Sequence, residues 1–450
     1  MEKFEMVVAG DIVTHEKIIM NGYVGINRGI IERVGSGEVP EAKVFLDYSG
    51  CWILPGVIDG QVHSRSQKGQ EDFLISTRAA AAGGVTTIVD MPYDDPVAVD
   101  NKVSFNSKVE DVEQQALVDC ALYATISPDD GVHKIPELID AGACAFKFST
   151  YEAHPTRFPR ISDDVLFEAF NIISPSGLAC GVHNQDHVIS SKNIHNFKLS
   201  QDVDVSAWGR ALPMLVEDLA TARVYELGAL TGARAHAVHV STGRGFELRN
   251  MYRAHGHQAS VETCIQYLML DENDMIRLGA KAKHYPPIRP RQEVEKLWEF
   301  IAKDECDFVS SDHVSWGLEK KSSDNIFECS AGGPGLETLL PAFFTGCEKR
   351  DISPTIVAKM LAKNPADHFL LKNKGEISVG RDADLVVLAK KKVVYDANKS
   401  LSAVNWSSFD GFEFSVKVAC SIVRGTVVWD GVEIKAPAGH GKFVRPVLSK

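Results

Sequence analysis

Eight short apolar runs, spaced through the middle of the chain and separated by helix-like stretches, constrain the fold more than any other feature. They cover residues 57–63, 85–92, 120–126, 144–148, 178–184, 235–242, 259–264 and 306–313. The intervening stretches, such as DFLISTRAAAAGG and RQEVEKLWEFIAKDE, carry Ala, Leu, Glu and Lys with apolar residues at helical spacing. Strand and helix alternating in this way predict an α/β fold, a (β/α)8 TIM barrel. The gaps between the fifth and sixth runs and between the seventh and eighth are long enough for extra loop structure.

Both ends of the chain read differently. FEMVVAGDIVT, YVGINRGIIERVG and KVFLDYSGCWILPG at the start, and GEISVGRDADLVVLAKKKVVYDA and SVKVACSIVRGTVVWDGVEI at the end, are short segments broken by Gly and Asn turns. That is the pattern of small antiparallel strands. Neither end can close a core alone, so residues 1–57 and 375–450 are expected to form one β-sandwich domain, with the barrel of residues 58–374 inserted into it.

Composition removes several function classes. Across 450 residues, 48 Lys and Arg stand against 60 Asp and Glu, a net charge of −12. A field of that sign repels phosphate backbones, so no nucleic-acid partner is expected. No stretch approaches the ~20 apolar residues that span a bilayer, so no membrane partner is expected either. The start lacks a basic segment followed by an apolar one, which predicts a cytoplasmic address. Nine cysteines without a CxxC pair read as reduced, mostly buried hydrophobes.

In a TIM barrel the C-terminal ends of the strands supply the active-site mouth. Here they carry His63, Lys147, His183, His239 and Asp312. Any one such histidine reads as an ordinary hydrogen-bonded core residue. Three imidazoles, a carboxylate and an amine together read as a metal site. Lysine has no lone pair when protonated. A desolvated, neutral Lys147 could add CO₂ and become an anionic carbamate ligand; the alternative is a buried structural lysine paired with a carboxylate.

The chain resembles the cyclic amidohydrolases, the hydantoinase, dihydropyrimidinase, allantoinase and dihydroorotase group. The segments that carry the resemblance include LPGVIDGQVH, AAAAGGVTTIVDMP, AFKF, VHNQ, AVHVST, ETCIQYLML, YPPIRP, SSDH, GGPGLETLLP and KGEISVGRDADLVVL, and SSFDGFEFSVKVACSIVRGTVVWDG resembles the hydantoinase branch. The resemblance implies a metal-bearing barrel with a β-sandwich from both termini. It further implies a divalent metal, zinc foremost, at one or two ions per chain, with N6-carboxylation of Lys147. A small cyclic amide as substrate and a homodimer or homotetramer are implied as well.

The same resemblance implies the metal ligands His63, Lys147, His183, His239 and Asp312, with Asp312 as catalytic base and then acid. The group's H-x-H pair is read onto His63 and residue 65, which is Arg65, a side chain that only donates and cannot ligate a cation. Three readings stay open. Arg65 leaves a binuclear site with a weakened first ion, or fills the vacated place of a mononuclear site beside Asp312, or marks a chain without catalysis. A catalytic contact from Arg65 to a substrate carboxylate is a further role. Substrate contacts carry over to Tyr151, four residues after Lys147 where five is usual, and to Tyr285 and Ala331. The loop HPTRFPR, with His154, Arg157 and Arg160, adds positive charge beside the mouth. A lactone or cyclic imide hydrolase on the same scaffold, and a non-catalytic oligomer related to dihydropyrimidinase, are the alternatives. His187, His255 and His257 read as ordinary histidines, and His313 as a residue that orients Asp312. Gly332 to Gly335 read as a loop behind the substrate.

Overall fold

The computed structural model describes residues 3–67, 69–129 and 131–448. Strands buried on both faces of a parallel sheet show continuous apolar runs rather than alternation. The eight runs form such strands: β5 (Val57–Val62), β6 (Val85–Asp90), β7 (Asp119–Ala124), β8 (Ala145–Ser149), β9 (Ala179–His183), β10 (Arg234–Ala237), β11 (Ala259–Cys264) and β12 (Phe308–Ser310). They line up in sequence order as one parallel eight-stranded sheet. A bridge between Val62 and His313 draws its two edges together, and helices separate the strands. Tyr123, Phe308 and Phe369 fill the interior, so the barrel is a packed core rather than a pore.

The second sheet takes strands from both ends of the chain. β1 (Phe4–Val13), β2 (Ile18–Asn27), β3 (Ile30–Ser36) and β4 (Ala42–Pro55) precede the barrel. β13 (Leu385–Ala389), β16 (Lys417–Val423) and β17 (Thr426–Trp429) follow it, and β14 (Val393–Val394) pairs separately with β15 (Glu413–Phe414). The order is β17-β16-β13-β4-β1-β2-β3, with Val8, Ile12, Val24, Ile53, Val387 and Ile422 in its core. β1 and β4 run parallel, unlike the antiparallel pattern expected, because the β2–β3 hairpin carries the chain past β1 before β4 returns beside it.

Only Gly56 separates β4 from β5, so the sandwich passes straight into the first barrel strand. A Cβ at Gly56 would lie 2.1 Å from Thr86 Oγ1, which makes glycine a requirement of this junction. A second tie lies at the base of the barrel. The buried Lys374 ammonium is 2.5 Å from Asp119, 2.8 Å from Asp382 and 2.7 Å from Asp384, and Arg424 also pairs with Asp119. These three carboxylates could have held a cation, but the ammonium already does that work. The segment around Phe443 then crosses the base, pairing its backbone with Cys120 on both sides. All nine cysteines are free thiols, eight of them buried. Among the described residues no helix is long and apolar enough to cross a membrane.

Candidate metal centre at the barrel mouth

Side chains alternate across a strand, so Gln61 and His63 share the inward face at the end of β5. The strand ends at Val62 and the chain turns through Ser64 and Arg65, which breaks the alternation there. Arg65 therefore does not follow His63 into the mouth. Its Nη1 lies 2.6 Å from Asp111 and its Nε 3.4 Å from Asp94, and Asp94 is shared with the fully buried Lys108, itself 2.6 Å from Asp90. Of the three readings of Arg65, the one that sets it beside Asp312 does not match this geometry. The neighbour of Asp312 is Gln61, whose Nε2 donates to Asp312 Oδ1 at 2.8 Å.

Asp312 is aimed by its backbone. It lies beyond β12 in a left-handed conformation, φ 51°, and His239 beyond β10 is similar at φ 42°. Left-handed backbone is uncommon for residues other than glycine and gathers at functional sites. Buried Asp59 on β5 braces the turn by accepting from the Ser311 amide at 3.0 Å, and burial pushes its carboxyl up to about 6. His313 is taken up by Glu71 at 2.8 Å and by the Gly335 amide, so it steadies the loops behind Asp312. Burial pushes the Asp312 carboxyl up, but His63, whose Nε2 is 3.4 Å away, outweighs it with Lys147 and His284, and the net direction is down.

The opposite wall is nitrogen. His183 Nδ1 and His239 Nε2 face each other at 2.8 Å. Burial drives both rings neutral, His183 down to about 3 and His239 well below the usual imidazole range. Beside them Lys147 Nζ is buried with no hydrogen-bond partner. Burial lowers its ammonium, against the pull of Glu262 and Asp312, while burial raises the carboxyl of Glu262. Glu262 accepts from the His239 amide at 3.2 Å and keeps Oε2 unpartnered. It belongs to this site and was not anticipated; a carboxylate within the apolar strand ASVETC was the available signal.

These groups open on a cavity of about 340 Å³. Gln61, His63, Lys147, His183, His239 and Asp312 line its floor, and Tyr93, Phe158, Tyr285 and Ala331 form part of its walls. The structure thus gathers the expected residues except two. Arg65 is outside the lining, and so is Tyr151, whose ring packs against Tyr285 and His187 at centroid distances of 5.7 and 5.6 Å. His154 and Arg157 do line the cavity, with Arg157 Nη1 donating to the Ser66 carbonyl at 2.8 Å. The wall at residues 330–332 is held from behind. Lys321 donates to the Ser330 and Gly332 carbonyls at 2.7 and 2.6 Å, and the Trp316 indole to Ala331 at 2.7 Å. Gly332 has φ 95°, and a Cβ there would meet Val314 Cγ1 at 2.3 Å.

Neutral imidazoles, an unpaired buried amine and an ionised aspartate at the mouth of a TIM barrel define a hydrolase of the cation-assisted kind. Comparison with known proteins agrees. The amidohydrolase family model matches residues 52–428, and the chain belongs to that family. It is 32% identical to an allantoinase of Rubrobacter xylanophilus, covering 100% of this chain and 99% of that one. It is also 32% identical to an L-hydantoinase of Paenarthrobacter aurescens, covering 90% of each. Among solved structures, the L-hydantoinase (dihydropyrimidinase) of Arthrobacter aurescens superposes with a TM-score of 0.94 at 29% identity, over 98% of this chain and 100% of that one.

Proposed function

We propose that this chain hydrolyses the C–N bond of a small cyclic amide, with a divalent cation held by Lys147, His183 and His239. The observation that carries the reading is an unpartnered Lys147 amine in one cavity with two neutral imidazoles, which meet each other at 2.8 Å through one nitrogen each and leave the other, His183 Nε2 and His239 Nδ1, buried without a partner. Buried polar atoms are rarely left without partners, and these are the donor types that hold zinc. The relatives named allantoinase and L-hydantoinase support a ring amide as substrate.

An unprotonated Lys147 amine can add to CO₂. The N–C bond forms, one proton leaves, and the resulting carbamate supplies the negative oxygen ligand that an amine cannot. A bound cation supplies polarisation of the scissile carbonyl and a water made acidic enough to attack at neutral pH. Asp312, ionised and held by Gln61 and His63, accepts the proton of the attacking water and returns it to the leaving ring nitrogen. Tyr285 and Ala331 fix the ring, with Tyr151 behind Tyr285 as its support.

Protein reconstituted with Zn²⁺ should open at least one ring among hydantoins, dihydropyrimidines, allantoin and dihydroorotate, with cyclic imides and lactones run beside them. Chelation should abolish that turnover and added metal restore it. Turnover that survives chelation, or none on any ring by the fully loaded protein, refutes the proposal.

A further inference from the structure

The two halves of the mouth are unequal. One half holds Lys147, whose Nζ has no hydrogen-bond partner, and the imidazoles of His183 and His239, whose Nδ1 and Nε2 meet at 2.8 Å. The other half holds His63, Gln61 and Asp312, and there the space is already used. Gln61 Nε2 donates to Asp312 Oδ1 at 2.8 Å, and His63 Nε2 lies 3.4 Å from the same oxygen. An ionised carboxylate only accepts hydrogen bonds, so the amide of Gln61 must turn its NH₂ end toward it. Those hydrogens occupy the side of Asp312 that a cation would face, and they repel positive charge. The amide oxygen, Gln61 Oε1, is buried without a partner, yet it is neutral and a poor match for an ion that prefers imidazole nitrogen.

From this asymmetry we infer that the chain holds a single divalent ion, on the Lys147 side, and that Gln61 and His63 are positioning residues for Asp312 rather than ligands of a second ion. The inference rests on the metallohydrolase reading above and adds that the His63 and Asp312 half takes no second ion. It also gives Gln61 a role: the amide fixes the carboxylate on the face opposite the ion, where it meets the attacking water.

The test is metal content and spectroscopy on the intact protein, loaded with Mn²⁺ and freed of excess. Elemental analysis should give about one ion per chain for the parent, Gln61→Leu and His63→Ala, far less for His183→Ala, and a rise toward about two for Gln61→His. Electron paramagnetic resonance should show isolated Mn²⁺ in the parent and a spin-coupled pair in Gln61→His. In Gln61→Leu, kcat should fall about tenfold or more with KM little changed, since the amide touches Asp312 and not the ring. Two ions in the parent, loss of the ion in His63→Ala, or a Gln61→His protein that still takes one would each overturn the inference and leave the metallohydrolase reading standing. No bound ion in the parent would overturn that reading, and the inference with it.

Discussion

Replacing Lys374 by Met removes the ammonium from among Asp119, Asp382 and Asp384 while keeping an apolar stem of similar length. The three carboxylates offer oxygens within 4.8 Å of one another. At that separation and an effective dielectric of 20, each pair of charges repels by roughly 3 kcal/mol. The Arg424 guanidinium pairs with Asp119 and its amide donates to Asp384 at 2.8 Å, but neither replaces the ammonium at the centre of the cluster, so much of that repulsion goes uncompensated. The variant can escape by protonating one carboxyl, and Asp384, already pushed up by burial with Lys374 opposing, is the group to do so. Taking up a proton at pH 7 on a group whose ordinary pKa is near 4 costs about 4 kcal/mol. That agrees with the ~3–5 kcal/mol typical of breaking a buried ion pair.

The pH dependence carries the sharper test. In the parent, burial pushes Asp119 up but Lys374 and Arg424 more than reverse it, holding the carboxyl below its ordinary value. Its contribution is therefore complete above the ordinary aspartate range and is lost only as pH falls through the lower folded value. In the variant the folded state binds the extra proton first, so the deficit should shrink by about 1.4 kcal/mol per unit between pH 7 and 5. Urea unfolding followed by tryptophan fluorescence at both values measures it. A variant as stable as the parent at pH 7, or a deficit that does not shrink on acidification, refutes the reasoning.

Lys147→Ala should lose bound metal and turnover together, with partial rescue by short-chain carboxylic acids; full metal content in that variant would contradict the carbamate. His183→Ala and His239→Ala should each weaken metal affinity at least about tenfold, measured by competition with a chromophoric chelator. Arg65→Ala should keep metal content and turnover and lose only about 1 kcal/mol of stability, as expected for a partly exposed pair, and a large fall in kcat would return Arg65 to the site. Gly332→Ala should lower kcat/KM while the circular dichroism spectrum stays native, because the φ of 95° and the 2.3 Å approach to Val314 force the cavity wall to move.

The barrel was legible because each strand is buried on both faces and leaves a continuous apolar run, and because the functional side chains stand where those runs stop. His63, Lys147, His183, His239 and Asp312 are found by that rule alone, and all of them line one cavity. Gln61 escapes notice because the H-x-H motif is read onto His63 and Arg65, across a point where the strand has already ended. Glu262 shows in the sequence as a carboxylate inside the apolar run ASVETC, but it does not stand where that run stops, so the strand-end rule passes over it. The parallel pairing of β1 with β4 and the strap at Phe443 depend on which distant backbone happens to be adjacent, and no periodicity records that.

The shared sheet also sets an order of events during synthesis. β4 is made early and pairs with β1, but its other edge is built to receive β13, which begins at Leu385. At about 5–20 residues per second the ribosome needs roughly 15–70 s to go from one to the other. For that time β4 presents an unpaired row of amides and carbonyls, a template on which another nascent chain can add a strand. The barrel emerges as a continuous stretch and can compact while the first four strands wait. Soluble yield should therefore depend on how long that edge stays open, improving with holdase chaperones and falling where translation stalls before residue 385.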